Sequence, residues 1–317
     1  MSRSRIPLAV LATAALALAA CGDGGADEPG APSETPVATF EDDVPASDEP
    51  VDPGSEEPTE AAGGALPGCD PASLETLTDG VLTMATSEPA FEPWMVDNDP
   101  TNGQGYESAV SYAVAETLGY DQASVEWVRV PFEAAIAPGP KDFDVAINQF
   151  SITDERRQAV DFSSSYYDVR QAVVTVEGSV AAETSQLDQM GELLFGAQVG
   201  TTSLDILIET VGPTLQPAVF NSNEDAVTAL ANGQVDAIVL DLPSAFFAVA
   251  AQLDDGIILG QLPETGAEPE QLGLVLDLGS PLTDCVTQAV AALEADGTLD
   301  ALQDEWLADV AGAPELG

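Results

Sequence analysis

Histidine is missing from this 317-residue chain altogether, lysine occurs once, at Lys141, and cysteine three times, at Cys21, Cys69 and Cys285. Without histidine there is no serine–histidine or cysteine–histidine catalysis. With cysteines this scattered, a zinc, copper or haem site has no obvious ligand set, and no cofactor is expected. Positive charge is as scarce: seven Lys and Arg stand against fifty-five Asp and Glu, a formal net charge of −48. Such a surface repels nucleic acid and anionic lipid headgroups, which excludes the first as a partner and disfavours adsorption to the second. Long hydrophobic runs are absent too. The apolar stretch from Ile6 to Ala20 counts fifteen residues, short of the about 20 that a membrane span needs.

What is present begins with that stretch. Arg3 and Arg5 precede it, and it ends Leu18-Ala19-Ala20-Cys21. A charged start, a short apolar run and small residues before a cysteine predict a signal peptide over 1–20. The ending resembles a lipoprotein signal, which implies a diacylated Cys21 as the mature N-terminus. Two acyl chains anchor a protein stably where one binds only marginally. The expected location is the extracellular face of the cell membrane, held there by lipid alone. Residues 22–66 contain thirteen acids and no cation, with Pro, Gly, Ser and Thr between them. So little there can be buried that 21–66 is expected to be a disordered acidic leash, with a mean reach of roughly 35–40 Å.

Beyond the leash remain five cations, Arg129, Lys141, Arg156, Arg157 and Arg170, and a formal charge of −37. Self-repulsion of that size is relieved by salt, which predicts a salt-rich medium. In an exported chain the pair Cys69 and Cys285 favours a disulfide, two separate buried thiols being the alternative.

The remaining 250 or so residues alternate short β-branched runs with helical patterns. Residues 81–86, 125–130, 143–147, 195–199, 235–241 and 272–278 read as strands. Helices are expected over 106–119, at 132–137, from Ser203, before Gly233, from Pro243 and twice at the end. In the first, Val110, Ala113, Val114 and Leu118 share a face, and Gly119 stands where a helix stops. Strands alternating with helices predict parallel-rich α/β sheets, and this length suits two lobes.

Several stretches then recur in an order that points to a family: FEPW (91–94), GYE (105–107), FDVAINQFSITDERR (143–157), VDFSSSYY (160–167), AQVGTTS (197–203) and ALANGQVDAIVLD (229–241). Together they resemble the solute-binding proteins of amino-acid ABC importers, over nearly all of 80–308. The resemblance implies a two-lobed periplasmic-binding-protein-like type II fold, with lobe 1 at 69–171 plus 266–317 and lobe 2 at 172–265. It implies a monomer that passes an amino acid to permease and ATPase subunits. The family's final helices return to the first lobe, which brings Cys285 toward Cys69.

The chemistry of an amino acid explains the candidate residues. Its carboxylate and ammonium must both be paired when water is excluded. Arg156 offers a planar two-pronged donor to the carboxylate, helped by Ser151 on the same turn. Thr201 and Thr202 lie between a strand and a helix, where amides meet an anion. Asp241, at a strand end, suits the ammonium. The resemblance implies that Phe91 and Phe132 cover the apolar body and that Gln149 approaches the ligand. Each residue has a plainer reading: Arg156 pairing with Asp154 or Glu155, Asp241 or Thr201–Ser203 as helix caps, Phe91 and Trp94 as core aromatics. Arg157 is expected to be the one that makes the surface ion pair. Two departures from the family concern specificity. Ser87 stands where many members carry an aspartate, with Glu88 beside it, and Asn148, Gln149 and Phe150 replace smaller residues. The absent acid at 87 argues against a lysine- or arginine-specific site. Two rival functions remain: a cyclohexadienyl or arogenate dehydratase on the same fold, using Glu88 or Glu107 as the acid, or the sensing subunit of a signalling complex.

Overall fold

A computed structural model of the chain describes residues 66–266, 269–308 and 312–317. The signal peptide, Cys21 and almost all of the acidic leash lie outside the described residues. No helix among the described residues is long and apolar enough to cross a membrane.

Two five-stranded mixed sheets form the two lobes of an α/β fold. The first runs β2 (Val125–Arg129), β1 (Leu82–Thr86), β3 (Val145–Ala146), β10 (Glu270–Asp277), β4 (Val160–Val169). The second runs β7 (Ala218–Phe220), β6 (Phe195–Gln198), β8 (Ala237–Asp241), β5 (Gln171–Val176), β9 (Gly256–Gln261). In each sheet the outer pairings on one side are parallel and those made by the late or crossing strands are antiparallel. The chain passes between lobes at Val169–Gln171 and again before Glu270.

Both faces of each sheet are covered, and the strand sequences show why. Leu82 and Met84 of β1, with Leu272, Leu274 and Leu276 of β10, belong to one core. Ala85 and Val275, one step out of phase, belong to another. Likewise Ala172, Val174, Ile238 and Leu240 pack on one side of the second sheet, and Val173, Ala237 and Val239 on the other. Successive side chains of a strand point to opposite faces, so an unbroken apolar run needs a layer above and one below. Helices α1 (Tyr106–Thr117), α6 (Thr283–Ala295) and α7 (Thr298–Trp306) supply one such layer on the first sheet. In α1, Val110, Val114 and Leu118 are fully buried. Gly119 follows at φ +81°, its N–H on Glu116 O and the next N–H on Ala115 O. That is the left-handed stop that a side chain would strain. Gly233 ends α4 (Asn223–Ala231) in the same manner at φ +66°.

Cys69 and Cys285 are joined in a disulfide across 216 residues, with Cα atoms 5.5 Å apart. It ties the start of the first lobe to α6.

The assignment of 266–317 to lobe 1 needs correction at its end. After α7 the tail reaches the second sheet: Gln261 N–H donates to Pro314 O and Leu316 N–H to Gln261 O, each at 2.8 Å. Leu316 is buried in a second-lobe core, and Glu315 pairs with Arg170 at 2.8 Å. The reason is the edge strand β9, whose unpaired backbone groups the tail satisfies.

Candidate functional site

The parallel strands of both sheets end facing one another, and the loops beyond those ends enclose a cavity of about 350 Å³. All eight anticipated ligand residues line it: Phe91, Phe132, Gln149, Ser151, Arg156, Thr201, Thr202 and Asp241. The lobes touch across it. Ser151 Oγ lies 3.0 Å from Thr202 Oγ1, Trp94 Nε1 donates to Ser244 Oγ at 2.8 Å, and the Phe91 and Phe247 rings stack at 6.2 Å.

Arg156 opens a single 3-10 turn, Arg156–Gln158, after the loop that leaves β3. It is only 9% exposed, which separates it from Arg157, an exposed neighbour. One terminal nitrogen donates to Ser151 O at 2.7 Å and the other to Gly200 O, in the opposite lobe, at 2.9 Å. Its guanidinium lies over the Phe132 ring, 5.5 Å from the centroid. Phe132 also stacks on Phe150 at 5.0 Å, so it supports the arginine as much as it walls the cavity. Burial pulls the Arg156 pKa below its usual range, while Glu270, Asp205 and Asp241 hold the charge in place. A guanidinium has five N–H donors, and two are engaged, which leaves three for a ligand. The expected ion pair of Arg157 is absent. Among the described residues the ion pairs are Arg170 with Glu264 and with Glu315. Arg157 instead lies over the ring of Phe162 in β4 at 5.9 Å.

Helix α3 (Thr202–Thr210) starts at the cavity wall, with Thr201 at its N-cap but making no side-chain capping bond. Thr201 Oγ1 donates to Gln198 O within its own turn. The first-turn N–H groups are therefore uncapped where an anion would sit. Asp241 holds the N-cap position of α5 (Leu242–Phe247) and likewise caps nothing. It accepts from Gln171 Nε2 at 2.6 Å instead. Burial, then the charge of Glu270, push its carboxyl up to about 7.

Gln149 lines the cavity but turns its side chain away. Its φ is +47°, and both its N–H and its Nε2 donate to Glu107. Glu107 is fully buried, accepts also from Tyr166 Oη at 2.5 Å, and is raised to about 7 by burial against the pull of those donors.

Sequence reading assigned no role to Ser244, Phe247, Gln171 and Glu270. A signal existed for the first two. They lie three residues apart in a helix that starts just past Asp241, and so share its cavity-facing side. Glu88, named beside Glu107 as a candidate acid for the dehydratase alternative, also lines the cavity.

A model of bacterial extracellular solute-binding proteins, family 3, matches residues 82–309. Among similar curated proteins, an L-arginine-binding protein of Pseudomonas aeruginosa is 25% identical over 232 residues, 71% of this chain and 88% of its own. The L-cystine-binding protein TcyJ of Escherichia coli is 26% identical, covering 70% of this chain and 82% of its own. Among solved structures, an ancestral arginine-binding protein bound to glutamine superposes with a TM-score of 0.61 at 28% identity, covering 72% of this chain and 98% of that one. An ancestral amino-acid-binding protein, precursor of a cyclohexadienyl dehydratase, gives 0.59 at 25% identity, covering 72% and 95%. The chain belongs to family 3 of the bacterial extracellular solute-binding proteins.

Proposed function

We propose that the protein captures a polar α-amino acid outside the cell and hands it to an ABC permease with its ATPase, tethered to the membrane through lipid on Cys21. The observation that carries the reading is the meeting of Arg156 and Asp241, one from each lobe, on the wall of a single cavity. A zwitterion needs one partner of each sign, and an unpaired charge buried there costs several kcal/mol. Arg156 and the first turn of α3 receive the carboxylate, Asp241 the ammonium, and Phe91 with Phe247 the apolar body. One ligand then bridges both lobes and favours their closure. Relatives named for arginine, histidine, cystine and glutamine binding support an amino acid without choosing one.

The test is a thermal-shift screen of the twenty amino acids and small carboxylates in molar salt. A ligand present at 100 Kd adds about 2.7 kcal/mol of stability. A screen in which nothing raises the melting temperature refutes the reading. The dehydratase alternative needs a free acid in the cleft: of its two candidates, Glu107 has its oxygens engaged by Gln149 and Tyr166, while Glu88 stands exposed on the cavity wall. Turnover of prephenate or arogenate would revive it.

A further inference from the structure

Glu270 opens β10 and Gln171 opens β5, so each stands where a crossing between the lobes enters a sheet. Gln171 is 3% exposed. Its Nε2 donates to Asp241 Oδ1 at 2.6 Å and to Glu270 Oε2 at 2.9 Å, while its Oε1 accepts from Ser203 Oγ at 2.7 Å. An ionised carboxylate only accepts, so the amide must turn its NH₂ toward the two acids. One neutral amide leaves most of their charge uncompensated. No Lys or Arg nitrogen lies within ion-pair distance of either acid among the described residues. The second oxygen of Glu270, Oε1, is buried with no hydrogen-bond partner there. A buried acceptor without a donor is costly, and a donor brought by a ligand would satisfy it. Glu270 lines a smaller cavity of about 220 Å³ that shares Thr202 with the main cleft.

We propose that Asp241, Gln171 and Glu270 act as one unit that takes up the ammonium group of the ligand, with Glu270 as its second anionic partner. This rests on the amino-acid reading of the cleft. An ammonium has three donors, enough for a carboxylate of each lobe and one further acceptor. Held by Asp241 on the second lobe and by Glu270 at the head of a first-lobe strand, it couples binding to both crossings. The charged and titratable groups facing Asp241 are Glu270 from β10, Glu107 from α1, Arg156 from its turn, and Tyr166 and Tyr167 from β4. Of these, Glu270 and Glu107 hold a proton on Asp241, while Arg156 and the Gln171 amide favour its release.

The experiment is titration calorimetry of the wild type, Glu270→Gln and Gln171→Leu with each of the twenty L-amino acids. The tightest of them is then followed from pH 5.5 to 8.5, with melting curves in the same buffers to confirm folding. Wild-type affinity should fall as pH drops below about 7, because Asp241 must be ionised to take an ammonium. Glu270→Gln should bind about tenfold more weakly at pH 8.5. Its acid-side fall should move to lower pH, since a repelling charge has gone. Gln171→Leu should move that fall the other way. A merely loosened structure does not displace two profiles in opposite directions. Equal affinity and a superimposable profile for Glu270→Gln would overturn the inference alone. No binding of any of the twenty by the wild type would overturn the amino-acid reading and the inference together.

Discussion

Replacing Arg156 by alanine removes a side chain with three structural partners as well as the proposed partner of the ligand carboxylate. Its two hydrogen bonds, to Ser151 O at 2.7 Å and Gly200 O at 2.9 Å, each involve a charged donor and are worth roughly 1.5–3 kcal/mol. The second joins the lobes, so part of that loss falls on closure rather than on folding of either lobe. Position over Phe132 at 5.5 Å adds a contribution of about 1–2 kcal/mol at so dry a site. Arg156 is buried and bonded without a ligand, so the variant should lose stability before any ligand is added. In binding, truncation leaves the ligand carboxylate buried and unpaired, a loss of roughly 2–5 kcal/mol. Arg156→Lys keeps the charge but not the fork, and should fall between. Arg157→Ala is the control, because that exposed side chain only overlies Phe162 at 5.9 Å, an interaction of about 0.5–1 kcal/mol. Calorimetry with the screened amino acid gives the affinities, and urea unfolding of the ligand-free variants gives the stabilities. Equal affinities for Arg156→Ala and Arg157→Ala would refute the assignment of the carboxylate.

Three further outcomes are expected. Peptide mapping without reductant should recover a Cys69–Cys285 fragment, and reduction should lower stability by roughly 3–5 kcal/mol given the 216 residues enclosed; two alkylatable thiols in the native protein would contradict this. The melting temperature should climb from 0.01 to 1 M potassium chloride as the screening length shrinks from about 30 to 3 Å, and a flat curve would refute adaptation to salt. Glu107 carries a folded-state pKa of about 7 against an ordinary 4.5, so its share of stability is complete below about 4.5 and is lost as pH rises through 7, a cost of about 3 kcal/mol. Glu107→Gln should flatten that part of the pH–stability curve. An unchanged slope between pH 5 and 7.5 would mean the carboxyl is not buried as described.

How much of this was legible in the sequence depends on the range of the interaction involved. Strands β1, β6, β8 and β10 and helix α1 could be read because their pattern is local: a short unbroken apolar run for the strands, and for α1 a 3.6-residue spacing of apolar side chains ended by Gly119. Strand β4 was not read as one, since its Ser163-Ser164-Ser165 centre lacks β-branched residues and is stabilised from outside, for example by Leu274 N–H donating to Ser163 Oγ at 2.9 Å. A guanidinium beside a Ser-Ile-Thr turn and a carboxylate at a strand end were visible as chemical types. Their partners were not. Gln171 reaches Asp241 across 70 positions and Glu270 across 99, Arg156 finds a carbonyl on the far lobe, and the tail at Leu316 fills a core far from its own helices. Composition and periodicity by themselves determined the exclusion of histidine-dependent catalysis, the charge and the alternating architecture, because each depends on residue type or on neighbours a few positions away. Tertiary structure alone decided which acids share a site and which arginine is buried, because hydrogen bonding and desolvation act between atoms that only folding brings together.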